Sequence, residues 1–304
     1  MENNLPILLL TGASGMLGHY VADLFSDFRI VTIGRHTEDT VYADLVSPFS
    51  IPDMSPELCV HAAGTRSPEH AVQVNYEGTL NLLKALEDNP PRSFVYISSM
   101  EVYGCLEGEM IGEVSSVWAE EQPGKSRILA ERAVWEWCAD RGVTCTILRP
   151  APMFGRDVSG WQRDMFNAVN TGYFYLIRGN CARRSIVLAY DVAQIIRRIH
   201  RIGGVYNVAD PRARSFEDLA EAMARNSGKD KSVYRLPLKW ARVLALAGDR
   251  IPVIGKVMDS RSFDFQLSSL TYDVSALLEK TDYAFFDTVE VIARRDKTYP
   301  YEDA

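Results

Sequence analysis

The stretch PILLLTGASGMLG, residues 6–18, decides the fold. Its first five residues form a short, unbroken apolar run, as a strand buried on both faces of a parallel sheet requires. Gly12, Gly15 and Gly18 follow at G-x-x-G-x-x-G spacing and open a helical pattern, GMLGHYVADLF. In such a strand–turn–helix unit Gly12 permits the tight turn and Gly15 lets backbone N–H groups approach a pyrophosphate. Gly18 lets helix and strand pack closely. The helix N-terminus, with Ser14, Met16 and Leu17 in its turn, then presents partial positive charge to the phosphates. The motif therefore predicts a dinucleotide site.

Outward from this unit the strand signature repeats at IVTIG (30–34), LCVHAAG (58–64), SFVYISS (93–99) and TCTILRP (144–150). Helical stretches near 71–88 and 124–141 separate them. This alternation predicts an α/β protein with a doubly wound parallel sheet and helices on both faces. Further on, 161–172 and 190–201 read as helices, 204–210 as a strand, and Ser215 as the N-cap of another helix. After Pro237 the pattern is helical and loop-like. Two interleaved units are expected: a dinucleotide-binding unit over 1–155 plus about 185–210, and a smaller substrate or lid unit over about 156–184 and 211–304.

Bulk properties narrow the class. The 304 residues, 47% hydrophobic and 24% charged, are those of a globular chain. A net charge of −7 argues against nucleic acid as a partner. Five cysteines without a C-x-x-C pair favour a reducing cytosol over a disulfide framework. The N-terminus lacks a positive leader and no apolar run reaches spanning length, so a cytoplasmic protein with no membrane partner is expected. His61, His70 and His200 show no ligand spacing, and no metal is expected. Without a G-x-S-x-G elbow, a serine hydrolase is disfavoured.

Other pieces fit the dinucleotide site. Asp44 and Leu45 fall where a third short strand ends and are placed to cap the adenine. Ala62, Ala63 and Gly64 put small residues at a strand end where bulk would block a cofactor, and Asn75 opens the helix beside it. At the end of the second strand, TIGRHTED offers Arg35 and no acid, which favours NADP over NAD; a solvated loop arginine is the alternative.

In order along the chain, TGASGMLG, ADL, HAAG, VNYEGTLNLLKA, ISSMEVYG, LRPAPMFG, YDVAQII and VYNVADP resemble the blocks of the extended short-chain dehydrogenase/reductases of the NAD-dependent epimerase/dehydratase type. The resemblance covers roughly residues 6–225. It implies a Rossmann-like sheet with a smaller, interleaved C-terminal substrate domain, a nucleotide sugar or related carbonyl compound as substrate, and dimerisation through paired helices such as 124–141. It also implies site residues: Ser99 as the serine that bonds the reacting oxygen, Ser98 facing the cofactor or the core, Pro150 at the nicotinamide, Met153 and Phe154 in the substrate wall, and Arg184 on a sugar-nucleotide pyrophosphate. Asp191 is expected to cap the following helix. Four of the five tryptophans, at 118, 135, 137 and 161, invite sugar stacking, but the spacing of Trp135 and Trp137 reads as helix packing.

One departure matters. Where the family carries a Tyr-x-x-x-Lys pair, this chain reads PGKSRILAE, with Pro123 at the tyrosine position and Arg127 at the lysine position. Proline has no proton to exchange, and arginine donates but does not deprotonate. Arg127 is left as a ribose anchor. Two readings follow: an enzyme with a relocated acid–base group, Glu101 first and Tyr103 second, or a dinucleotide-binding sensor or scaffold without turnover.

Overall fold

The structure, a computed structural model, describes residues 5–156, 158–228 and 233–294. The reading of Met1–Asn4 and the last residues of the expected lid range lie outside these.

The apolar run becomes strand β1 (Ile7–Thr11), followed by helix α1 (Met16–Leu24). Strands β2 (Arg29–Gly34), β3 (Val41–Tyr42), β4 (Leu58–His61) and β5 (Ser93–Ile97) come next. With Thr144–Pro150 and Gly204–Val208 they form one seven-stranded sheet. Its order is Gly204–Val208, Thr144–Pro150, β5, β4, β1, β2, β3, every neighbouring pair parallel. The order in which strands are added reverses beside β1, whose neighbours are β2 and β4; this is the switch point where doubly wound sheets open a ligand crevice.

Side chains of β1 alternate between two cores, which is why the run is apolar throughout. Leu8 and Leu10 pack with Val21, Phe25, Ile195 and Ile196, the layer of α1 and helix Ala189–Ile199. Leu9 faces the other way, toward Cys59, Phe94, Tyr96, Val134 and Trp137. That second layer holds helix α2 (Gly78–Ala85), entered through a π-helical turn at Val72–Glu77, and helix α3 (Gln122–Arg141). Trp137 lies in this core, 6.3 Å from the Phe94 ring, whereas Trp135 is exposed. The expectation that both pack is corrected: two residues apart on a helix point about 200° apart.

A smaller sheet joins Arg214–Ser215, Arg183–Arg184, Leu270–Tyr272 and Gly108–Ile111. The last of these comes from inside the range expected for the dinucleotide unit, so the two units share strands. Ser215 caps its helix in a reciprocal box with Asp218. Asp191 does not cap. The N-cap of Ala189–Ile199 is Leu188, and the buried Asp191 carboxylate instead accepts from the Tyr283 hydroxyl at 2.5 Å.

Candidate functional site

The glycine turn is built against the end of β4. Gly12 has φ +72°, and a Cβ there would lie 2.7 Å from the Ala63 nitrogen. At Gly18 a Cβ would fall 2.1 Å from the Gly12 carbonyl oxygen. Both positions exclude any side chain. Gly15 is the N-cap of α1 and supplies no side-chain acceptor, which leaves the first-turn amides free for an oxygen-rich ligand.

Behind the turn runs an ordered chain of hydrogen bonds. The Ala63 N–H donates to Thr11 Oγ1 at 3.2 Å, and Thr11 Oγ1 lies 2.6 Å from His61 Nδ1. On the other side Thr79 donates its hydroxyl to the Asn75 carbonyl, so His61 Nε2 must carry the proton shared with Thr79 Oγ1 at 2.9 Å. Complete burial, reinforced by the positive Arg127, pulls the His61 pKa down to about 3. The imidazole is a neutral strut. Asn75, in the π turn, accepts from the Thr65 N–H and donates to the Thr65 carbonyl and to Ser126. It is 1% exposed, so its expected cofactor contact is corrected to holding the loop after β4.

Pro123 occupies the first turn of α3, and Ser126 bonds back to its carbonyl. Arg127, also buried, donates through Nη1 to the Ile97 carbonyl at 3.1 Å. A Cβ on Gly64 would stand 3.0 Å from its Nη2, and its Nε is buried without a partner. The guanidinium thus lies at the sheet end between β4 and β5, beside HAAG.

Ser99 caps the short helical turn Met100–Tyr103, its Oγ accepting the Glu101 N–H at 3.1 Å. The hydroxyl proton stays available to a ligand oxygen. Glu101 Oε1 receives Arg66 Nε at 2.8 Å and Nη2 at 2.7 Å, while Oε2 is buried without a partner. Gly124, adjacent to Pro123, abuts the same residue: a Cβ there would be 2.6 Å from the Glu101 carbonyl oxygen. Arg66 is absent from the sequence-derived site; its place two residues past HAAG was the available signal.

Several expected site residues have other partners. Ser98 donates to Glu131 at 2.5 Å, in the core. Glu131 also takes Arg149 Nε at 3.0 Å and Nη2 at 2.6 Å. Burial works against the charge on Arg149, but its bonds to Glu131 hold its pKa above the usual arginine value. Tyr103 donates to Asn207 at 2.7 Å, accepts from Arg149 at 3.0 Å, and has its pKa raised by burial. It is a core residue and not an exchangeable acid. Phe154 is 4% exposed and packs edge-on against Trp161, which meets Phe216 and Phe265 in turn. Met153 pairs with Val187 in a two-stranded ribbon, and Pro150 ends its strand beside Val208.

Arg184 lies over the Phe265 ring at 4.0 Å and donates to the Phe265 carbonyl and Ser268 Oγ. Burial draws its pKa down to about 10. Arg183 and Ser185, on the opposite face of the strand, line a cavity of about 540 Å³ with Arg214 and Tyr272.

At the far end of β2, Arg35 is exposed and 3.8 Å from Asp44. The Asp44 carboxylate also accepts its own turn's Val46 N–H, and Leu45 packs under Gly78. Asp39 folds back so that its carboxylate accepts the His36 N–H at 2.9 Å and fills the space over Gly34. An acid therefore stands at a strand end where the linear sequence showed none.

Residues 8–209 match the NAD dependent epimerase/dehydratase family. The chain belongs to that family. GDP-6-deoxy-D-mannose reductase of Pseudomonas aeruginosa is 25% identical over 272 residues, covering 77% of this chain and 84% of the relative. N-acetyl-alpha-D-glucosaminyl-diphospho-ditrans,octacis-undecaprenol 4-epimerase of Escherichia coli O157:H7 is 24% identical over 250 residues, 76% and 75% of the two chains. The solved structure of RMD from Pseudomonas aeruginosa complexed with NADPH superposes with a TM-score of 0.68 at 21% identity, over 95% of this chain and 97% of the other. NAD or NADP serves this family. The Gly12–Gly18 cradle and the unpartnered Arg127 Nε fit such a dinucleotide.

Proposed function

We propose that this family member is an NAD(P)-dependent epimerase, dehydratase or reductase acting on a diphosphate-linked sugar, with Glu101 in place of the missing tyrosine. The observation that carries the reading is the split role of the Glu101 carboxylate: Oε1 is fixed by Arg66 and Oε2 is left without a partner. Both relatives named above act on a sugar attached to a diphosphate, which supports that substrate class. The nicotinamide supplies hydride acceptance and return. Ser99 donates to the reacting sugar oxygen, Glu101 Oε2 takes or returns the proton, and Arg127 holds the ribose from the floor of the crevice. Arg35 favours NADPH, and Asp39 narrows the preference by repelling a 2′-phosphate. Exposed Leu80 on α2 with Leu129 and Trp135 on α3 supply the face through which two copies pair.

The test is to titrate the protein with NADPH and NADH and then screen GDP- and UDP-sugars for turnover. Loss of activity in Glu101→Gln with unchanged cofactor affinity supports the assignment; wild-type rates in that variant overturn it.

A second reading, a dinucleotide-binding sensor or scaffold without turnover, is favoured by Pro123 and Arg127 themselves, neither of which can exchange a proton. Cofactor binding without turnover across the panel, joined to hydride transfer awakened by Pro123→Tyr with Arg127→Lys, selects it.

A further inference from the structure

Residues 238–256 depart from the rest of the surface. Helix Leu238–Gly248 buries Ala241 and Ala245 against Ile177, Met258 and Phe263. Its outer side carries Leu238, Trp240, Val243 and Leu246, between 48% and 67% exposed, and the apolar surface continues through Ile251 and Val253, the latter 76% exposed. Single exposed apolar side chains are ordinary, but six in one short segment form a patch that calls for an occupant.

The charge on this segment identifies the occupant. It holds Lys239, Arg242, Arg250 and Lys256 against Asp249, four positive and one negative, a net +3 in a chain whose net charge is −7. All four cations are exposed. Asp249, beside Arg250, accepts the N–H and hydroxyl of Ser260. Lys239, Val243 and Leu246 follow one ridge of the helix at i, i+4 and i+7, and Arg250, two residues past the helix end, reaches back to the Leu246 carbonyl beside that ridge. Long basic side chains so placed extend their charged heads outward while their stems lie along apolar surface. A second copy of the chain would oppose +3 to +3.

We propose that residues 238–256 form a peripheral membrane-binding element that lies in the headgroup layer of an anionic phospholipid bilayer. Trp240, Val243 and Leu246 enter the acyl boundary, and the four cations meet lipid phosphates. This revises the sequence-based expectation of no membrane partner. Among the described residues no helix is long and apolar enough to cross a membrane, so the contact is superficial. The inference is independent of the proposed chemistry, because adsorption needs no turnover.

The experiment is co-sedimentation of the full chain with vesicles of phosphatidylcholine alone or mixed with phosphatidylglycerol. The bound fraction is expected to rise on the order of tenfold with the anionic lipid and to fall with added salt. Trp240 emission should shift to the blue on binding, a shift lost in Trp240→Phe. Val243→Glu with Leu246→Glu, both at exposed positions, should abolish adsorption while cofactor affinity is retained. Equal partition to both vesicle types, no partition, or binding kept by the double variant overturns the proposal. So does a dimer in sedimentation equilibrium that the double variant dissolves, since the face would then join two copies.

Discussion

Arg127 donates through Nη1 to the carbonyl oxygen of Ile97 across 3.1 Å, tying an early turn of α3 to the C-terminal end of β5. The Arg127 side chain is thus a strut, and under the proposed function it also lines the cofactor crevice. Arg127→Met leaves a buried carbonyl unpaired and should cost about 1–3 kcal/mol in urea unfolding. It should also weaken NADPH binding, on the order of tenfold, in a fluorescence titration. If stability falls and affinity does not, the ribose role assigned to Arg127 is wrong.

Arg66→Met separates positioning from folding. Its ion pair with Glu101 is partly exposed and should contribute only about 0–1 kcal/mol to stability. Under the proposed role of Glu101, turnover in contrast depends on where Oε2 is held, and a misplaced group commonly costs on the order of a hundredfold. We expect kcat to fall with cofactor Kd and melting temperature nearly unchanged. An unaltered kcat would show that Glu101 needs no such support.

At the end of β2, Arg35 and Asp39 oppose one another. Arg35→Ala should lower NADPH affinity about tenfold and leave NADH binding alone, since only NADPH carries the 2′-phosphate. Asp39→Asn removes the repelling charge and should raise NADPH affinity. Paired titrations of both cofactors decide the matter: equal losses for NADH and NADPH in Arg35→Ala would mean the arginine does not read the phosphate.

Glu131→Gln breaks the buried pair with Arg149 and strands a guanidinium that also holds Tyr103. The expected loss is about 3–5 kcal/mol, measured by chemical denaturation. A change under ~1 kcal/mol would show that water or neighbouring groups solvate Arg149 once its partner is gone.

These residues show where linear sequence informs and where it stops. The β1 run and its glycines were legible because a strand buried on both faces must be apolar and a turn seated against Ala62 and Ala63 has no room for a Cβ. The start of α3 was legible too, since a proline fits a first helical turn. Arg66, Asp39 and the Glu131–Arg149 pair were not, because each acquires its meaning from a side chain brought close by folding: Arg66 meets Glu101 across 35 positions, and Asp39 curls back onto Gly34. Tyr103 and Phe154 were misassigned because a family block fixes where a residue lies on the backbone and leaves open which way its side chain turns.

Buried Asp191 gives the fold a pH response. Burial raises its pKa from 3.8 to about 7, against the lowering effect of its bond from Tyr283. Between those values the folded chain keeps a proton that the unfolded chain releases, so this contribution is fully present below about pH 4 and is lost as pH rises toward 7. His61 acts on the acid side. Its folded pKa near 3 lies below the unfolded 6.5, so stability falls as pH drops through that window, by about 1.4 kcal/mol per unit. Asp191→Asn keeps an acceptor for Tyr283 and removes the charge, so the variant should melt above the parent at pH 8, by a margin on the order of a few kcal/mol, and converge with it near pH 4. Thermal melts of the two proteins from pH 4 to pH 8 measure this, and curves that stay parallel across the range would show that Asp191 does not carry the alkaline loss.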